Sequence, residues 1–136
     1  MRKCFLIPIY NHHETIQATV EKLLPYALPI FIADDGSDLP TKHVLADLAR
    51  QYKLVDVITL PVNGGKGAAM FAAMRRAYQL GYSHGLQIDA DGQHDPGDVV
   101  NMLARIKNGD VDVVFGSRFL DQRTSVALPK RIVLKL

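Results

Sequence analysis

A chain of 136 residues fits one domain with one core, expected to span residues 1–136. Hydrophobic residues at 48% and charged residues at 22% are the balance of an ordinary soluble globule, which argues against a disordered segment. The net charge of +2 and the single cysteine, Cys4, give no footing for a nucleic-acid partner, a disulfide framework or a cysteine-based zinc site.

The first apolar run, Cys4–Ile9, follows two basic residues. Pro8 interrupts it and no small-residue cleavage site follows, so it is expected to be a strand rather than a signal peptide. No apolar stretch in the chain reaches the ~18–20 residues that cross a bilayer. In Thr15–Leu24, Ile16, Val20, Leu23 and Leu24 fall at helical spacing, and Pro25 is expected to end the helix. Ile30–Ala33 is a second strand, and Thr41–Gln51 a second helix with Val44, Leu45 and Leu48 as its stripe. Val55–Leu60 is a third strand. Gly67–Leu80 is an Ala- and Met-rich helix, with Gly81 placed for a left-handed C-cap. Gly85–Ile88 is a fourth strand. A helix then starts with Asp95 as N-cap and Pro96 at its first position. It buries Val99, Val100, Leu103 and Ile106 and closes at Asn108-Gly109. Val111–Phe115 is a fifth strand.

This alternation predicts an α/β fold, a three-layer α/β/α sandwich around a mainly parallel, Rossmann-like sheet. In such sheets ligands bind beyond the carboxyl ends of the strands, near a switch in strand order. A polar cluster follows each of the five runs: Pro8–Glu14, Asp34–Asp38, Asn63–Gly67, Asp89–Asp95 and Gly116–Phe119. From Arg118 onward five basic residues (Arg118, Arg123, Lys130, Arg131, Lys135) face one acid, Asp121. Such an end suits an anionic lipid or a phosphate, or is simply a solvated terminal segment, which charge alone favours.

Asp89 and Asp91 are two apart, so on an extended backbone their carboxylates share a side. Two hard oxygen donors suit Mg²⁺ or Mn²⁺; the other reading is a turn bent at Gly92. Asp89-x-Asp91-x-Gln93 is not a calcium loop, because His94 and Val100 stand where Gly and Glu are needed. Nor does it follow the first strand with a Thr after it, as the phosphatase loop of haloacid-dehalogenase-like enzymes does. Gly64-Gly65-Lys66-Gly67 lacks the spacing and the Ser or Thr of a P-loop. Asp34 or Asp35 could accept a hydrogen bond from a base N–H, or simply form a turn that caps the next helix. Lys66 lies near a helix N-terminus, an anion-friendly place, or is an exposed turn lysine. His12 and His13 have no metal-ligand spacing and are expected to be capping or surface residues.

Taken together, Ile7-Pro8-Ile9-Tyr10-Asn11, Asp34-Asp35-Gly36-Ser37, Asn63-Gly64-Gly65-Lys66-Gly67-Ala68-Ala69, Asp89-Ala90-Asp91-Gly92-Gln93-His94-Asp95-Pro96 and Gly116-Ser117-Arg118-Phe119 resemble, in order and spacing, the family-2 inverting glycosyltransferases. The subgroup most similar is that of dolichyl- or polyprenyl-phosphate mannosyl- and glucosyltransferases. The resemblance implies a GT-A fold and metal-dependent sugar transfer from a UDP- or GDP-sugar. Pro8, Tyr10 and Asp35 would line the nucleoside pocket, with Asp34 close by and Lys66 near the diphosphate. Asp89 and Asp91 would form the DxD-type site for Mg²⁺ or Mn²⁺, with Gln93 as a metal or donor contact. Arg118 would face an acceptor such as a lipid phosphate.

Two departures stand out. His12 occupies the place where the family usually has Glu, with Glu14 two residues later. Family members also continue well beyond position 136, so the fold is expected to lack its C-terminal part and no catalytic base can be named. The implied setting is cytoplasmic, at the inner face of a membrane. An incomplete sheet would favour homo-oligomers.

Overall fold

The structure, a computed structural model, describes residues 2–91, 99–101, 103–104 and 133–135. Its elements run β1 (Lys3–Ile9), α1 (Ile16–Leu23), a 3₁₀ turn (Leu24–Tyr26), β2 (Ile30–Asp34), α2 (Leu39–Gln51), β3 (Val55–Thr59), α3 (Lys66–Gln79), β4 (His84–Gln87) and β5 (Val133–Lys135). Residues 99–101 and 103–104 are also helical. The sheet order is β3-β2-β1-β4-β5. The β1–β2, β2–β3 and β1–β4 pairings are parallel, and β5 joins β4 antiparallel, with Leu86 opposite Val133.

Strand order decides where the helices lie. The first two crossovers step outward from β1 to β2 to β3, whereas the third returns across the sheet to the far side of β1. Because such crossovers are right-handed, reversing the step moves the helix to the opposite face. The packing shows this. On one face Phe5, Ile7, Ile9, Ile30 and Ile32 meet Ile16, Val20 and Leu23 of α1, Leu45 and Leu48 of α2, and Val99. On the other, Cys4, Leu6, Phe31 and Ala33 meet Ala69, Met70, Ala73 and Ala77 of α3. Alternate residues of β1 and β2 thus feed two cores, so both strands are almost continuously buried and apolar. Each fully buried Ile, Leu or Phe contributes ~1.5–3 kcal/mol of transfer free energy. Those two layers, more than any helix propensity, hold the sheet.

The helix boundaries have local causes. Helix α2 begins two residues earlier than the apolar spacing suggests, because Asp38 accepts from the Thr41 N–H at 3.0 Å and Pro40 occupies the first turn. The Thr41 hydroxyl donates to the same oxygen at 2.6 Å, and these two bonds hold the Asp38 carboxyl below its ordinary range. Helix α3 closes as expected at Gly81, at φ +87°. Gly81 N–H bonds to the Tyr78 carbonyl and Tyr82 N–H to that of Ala77, a Schellman pattern. At α1 the α-helix stops at Leu23, just ahead of Pro25 as expected. The chain then makes a 3₁₀ turn that includes Pro25, and Ala27 at φ +56° ends it.

The end of the chain differs from the sequence reading as well. Residues 133–135 pair with β4 rather than forming a solvated tail. The expected fifth strand, Val111–Phe115, and the start of the helix at Asp95 and Pro96 lie outside the described residues. Among the described residues no helix is long and apolar enough to cross a membrane.

Candidate functional site

The strand order switches at β1, whose neighbours β2 and β4 are reached by opposite steps. At the carboxyl ends of such a switch a ligand crevice is expected. It holds a cavity of about 350 Å³, within the ~300–1,000 Å³ usual for small-ligand sites. The end of β1 contributes Pro8, Ile9, Tyr10 and His12, and the end of β2 contributes Asp35. Lys66 and Ala69 come from the first turn of α3, and Asp89, Ala90 and Asp91 follow β4.

Two hydrogen-bonded loops shape this cavity. Asp35 is 3% exposed. Its carboxylate accepts from the Gly64 N–H at 2.7 Å and the Gly65 N–H at 2.8 Å, and its carbonyl accepts from the Asn63 amide at 3.0 Å. The Asp35 side chain therefore ties the loop before α3 to the end of β2, and so positions Lys66. Gly36 lets the loops approach: its φ is +73°, and a Cβ there would lie 2.8 Å from the Asn63 nitrogen. Asp34 is placed differently from the expectation. It is 1% exposed, accepts from the Ser37 N–H at 2.9 Å and pairs with Lys42 at 3.0 Å. It braces the turn from beneath and is not among the cavity-lining residues.

The β1 exit is tight. Asn11 and His12 both have positive φ, +67° and +54°, a conformation Asn tolerates better than His. Asn11 is held on both sides: its N–H donates to the Ser37 hydroxyl at 2.9 Å, and its side-chain oxygen accepts from the Asp38 N–H at 3.0 Å. The His12 carbonyl accepts from the N–H groups of Thr15 and Ile16, both at 3.2 Å, opening α1. Tyr10 is half exposed at the cavity.

After β4, Ala90 is packed against the core and also borders the cavity, and Asp89 and Asp91 on either side of it both line the cavity. The Ala90 carbonyl accepts from the Thr15 hydroxyl at 2.6 Å, which fixes this segment to the start of α1. Lys66 reaches across from α3 to Asp89 at 3.2 Å. As a donor set, two carboxylates two residues apart are hard oxygen ligands on one wall. No group of three or more His, Cys, Asp or Glu is gathered for a metal among the described residues. A cation held here would take its other positions from ligand oxygens and water, the habit of Mg²⁺ and Mn²⁺. The residues fit such an ion.

The family profile described as "Glycosyl transferase family 2" matches residues 4–133. The chain belongs to this family. The UDP-N-acetylglucosamine–dolichyl-phosphate N-acetylglucosaminyltransferase of Methanococcus voltae is 30% identical over 91% of this chain and 55% of its own length. The polyprenol monophosphomannose synthase of Mycolicibacterium smegmatis is 32% identical over 98% of this chain and 51% of its own. The chain thus spans about half the length of the curated relatives it matches. Among solved structures, mannosyltransferase PcManGT from Pyrobaculum calidifontis, in complex with GDP-Man and Mn²⁺, superposes with a TM-score of 0.59 at 20% identity, covering 66% of this chain and 27% of that one. S. aureus TarS in complex with UDP gives 0.61 at 19%, over 79% and 32%. At these identities the likeness establishes the fold, that of GT-A glycosyltransferases.

Within this family-2 chain the site residues named from sequence separate into three groups. Pro8, Tyr10, Asp35, Lys66, Asp89 and Asp91 converge on one cavity. Asp34 lies beneath it. Gln93 and Arg118 lie outside the described residues. From sequence His12 is expected to be a capping or surface residue. Its carbonyl does open α1, but the residue also lines the cavity. The available signal was its place two residues beyond Tyr10 at a strand end, where the family usually has Glu. Ala69 was missed because a small residue on an Ala-rich helix carries no polar mark.

Proposed function

We propose that residues 1–136 form the donor-binding domain of a metal-dependent glycosyltransferase. It moves a sugar from a UDP- or GDP-sugar to a polyprenyl-phosphate-type acceptor by a single inverting displacement. The observation that carries this reading is the meeting of Asp89 and Asp91 with Asp35, Tyr10 and Lys66 in one cavity at the topological switch. The relatives named for dolichyl-phosphate and polyprenol substrates support the acceptor class, and the fold shared with a GDP-Man and Mn²⁺ complex supports the donor and cation.

In this reading the nucleoside rests between Pro8, the Tyr10 ring and Asp35, and the carboxylate has lone pairs left for a base N–H. Lys66 and the start of α3 face the diphosphate, where ammonium and helix N–H groups both favour anions. Asp89 and Asp91 hold the divalent cation, which when bound neutralises charge on the departing diphosphate. Arg118 and Gln93 are assigned to the acceptor side and to the metal or donor. A phosphate acceptor is already ionised near neutral pH, so attack on the anomeric carbon needs little help from a base. Such an acceptor places the enzyme at the cytoplasmic face of a membrane.

Titration calorimetry of UDP and GDP, with and without Mn²⁺, tests this on the wild type and Asp91→Ala. One nucleotide is expected to bind more tightly with Mn²⁺, and Asp91→Ala to lose that dependence. No binding of either nucleotide under any condition would sink the assignment.

A further inference from the structure

We infer that Lys66 is a resident counter-cation on Asp89 that makes divalent-cation binding conditional on a diphosphate, a role that rests on the function proposed above. The Lys66 ammonium lies 3.2 Å from Asp89, inside the cavity that Asp91 also lines. It thus occupies a carboxylate oxygen that a cation would need.

The placement of this lysine runs against its own helix. Lys66 is the first residue of α3, Gly65 supplies no side-chain cap, and no acid stands in the first turn. A cation at the positive end of a helix is unfavourable, so the ammonium is stabilised from outside the helix, by its ion pair with Asp89. Its side chain is 48% exposed, and its flexible four-carbon stem leaves it free to swing.

Two competing states follow. With the cavity empty of anions, a divalent cation reaching for Asp89 must displace the ammonium and then remain beside it, like charge against like. When a diphosphate enters, it meets the N–H groups opening α3 and the ammonium together. Lys66 turns to the phosphate oxygens and Asp89 is released to the cation. Metal and nucleotide binding are then positively coupled, and reciprocally so. The lysine guards against capture of a cation by the empty site.

The test is Mn²⁺ binding without nucleotide, followed by the electron paramagnetic resonance signal of free Mn²⁺, on wild type, Lys66→Met and Lys66→Arg. Removing one charge beside the carboxylate is expected to tighten Mn²⁺ binding to Lys66→Met by about tenfold, with Lys66→Arg close to wild type. In a second arm, UDP or GDP tightens Mn²⁺ binding to wild type far more than to Lys66→Met. If Lys66→Met binds Mn²⁺ alone no better than wild type, the inference is overturned. Failure of wild type to bind either nucleotide would instead count against the proposed function, and the metal-only arm would still decide the role of Lys66.

Discussion

Replacing Asp35 separates two tasks that one side chain performs. Its carboxylate cinches the loop at Gly64 and Gly65 through bonds of 2.7 and 2.8 Å, and it also lines the cavity. Hydrogen bonds to a charged group contribute ~1.5–3 kcal/mol each. Gly64 is exposed and Gly65 half-buried, so water can satisfy part of what is lost. With that discount, Asp35→Ala should destabilise the fold by ~2–3 kcal/mol, and Asp35→Asn, which keeps one acceptor but turns an NH₂ toward the other N–H, by ~1–2 kcal/mol. Urea unfolding followed by circular dichroism measures this, with the slope checked for constancy. The same samples are then titrated with UDP and GDP. The loop reading requires stability and nucleotide affinity to fall together. An Asp35→Asn protein within ~0.5 kcal/mol of wild type at unchanged slope would refute it, whatever happened to binding.

Two further outcomes follow from the same geometry. Gly36→Ala places a Cβ 2.8 Å from the Asn63 nitrogen at a backbone φ of +73°. The left-handed backbone alone costs ~1–2 kcal/mol, and the clash adds to it. Unfolding should therefore shift by at least ~2 kcal/mol, with weaker nucleotide binding as the two loops part. Cys4 is buried, and burial pushes its thiol from near 9 up to about 12. Because the folded value is the higher one, its contribution to stability is complete below about 9 and is lost as pH rises toward about 12. The urea midpoint of wild type should fall more steeply over that window than that of Cys4→Ala. Thiol labelling of the native protein at pH 8 should proceed only as fast as it opens.

Much of the sheet was legible because burial on both faces leaves an unmistakable trace. Cys4–Ile9, Pro8 aside, and Ile30–Ala33 are apolar throughout, and the structure places them as the central β1 and as β2, with ends shifted by one residue. The antiparallel β5 was not legible. Val133–Lys135 is three residues beside basic neighbours, and its pairing with β4 depends on a partner far away in sequence. The end of α3 was legible because Gly81 takes the left-handed turn, whereas the start of α2, capped by Asp38, lies two residues before the apolar spacing suggests. At Pro25 the end of the α-helix was legible but the 3₁₀ turn that continues it was not. For the acids, sequence offered binding and turn formation as rivals at each position. The fold divides them: Asp34 and Asp38 serve the backbone, Asp89 and Asp91 line the cavity, and Asp35 does both.

That division follows from topology more than from residue chemistry. Asp34 and Asp35 are adjacent on a strand end, so their side chains point to opposite faces of the sheet. Which of them meets a ligand is set by the side on which the next connection leaves, and right-handed crossovers fix that side once the strand order is known. Helix α2 departs over the Asp34 side and supplies Lys42 to neutralise it. The loop before α3 comes to the Asp35 side and closes on its carboxylate. A one-residue shift of the β2 register would exchange the two roles, burying the cavity acid against α2 and leaving the loop without its tie. The pairing Ile9↔Asp34 in the β1–β2 ladder is therefore as much a determinant of the site as either carboxylate.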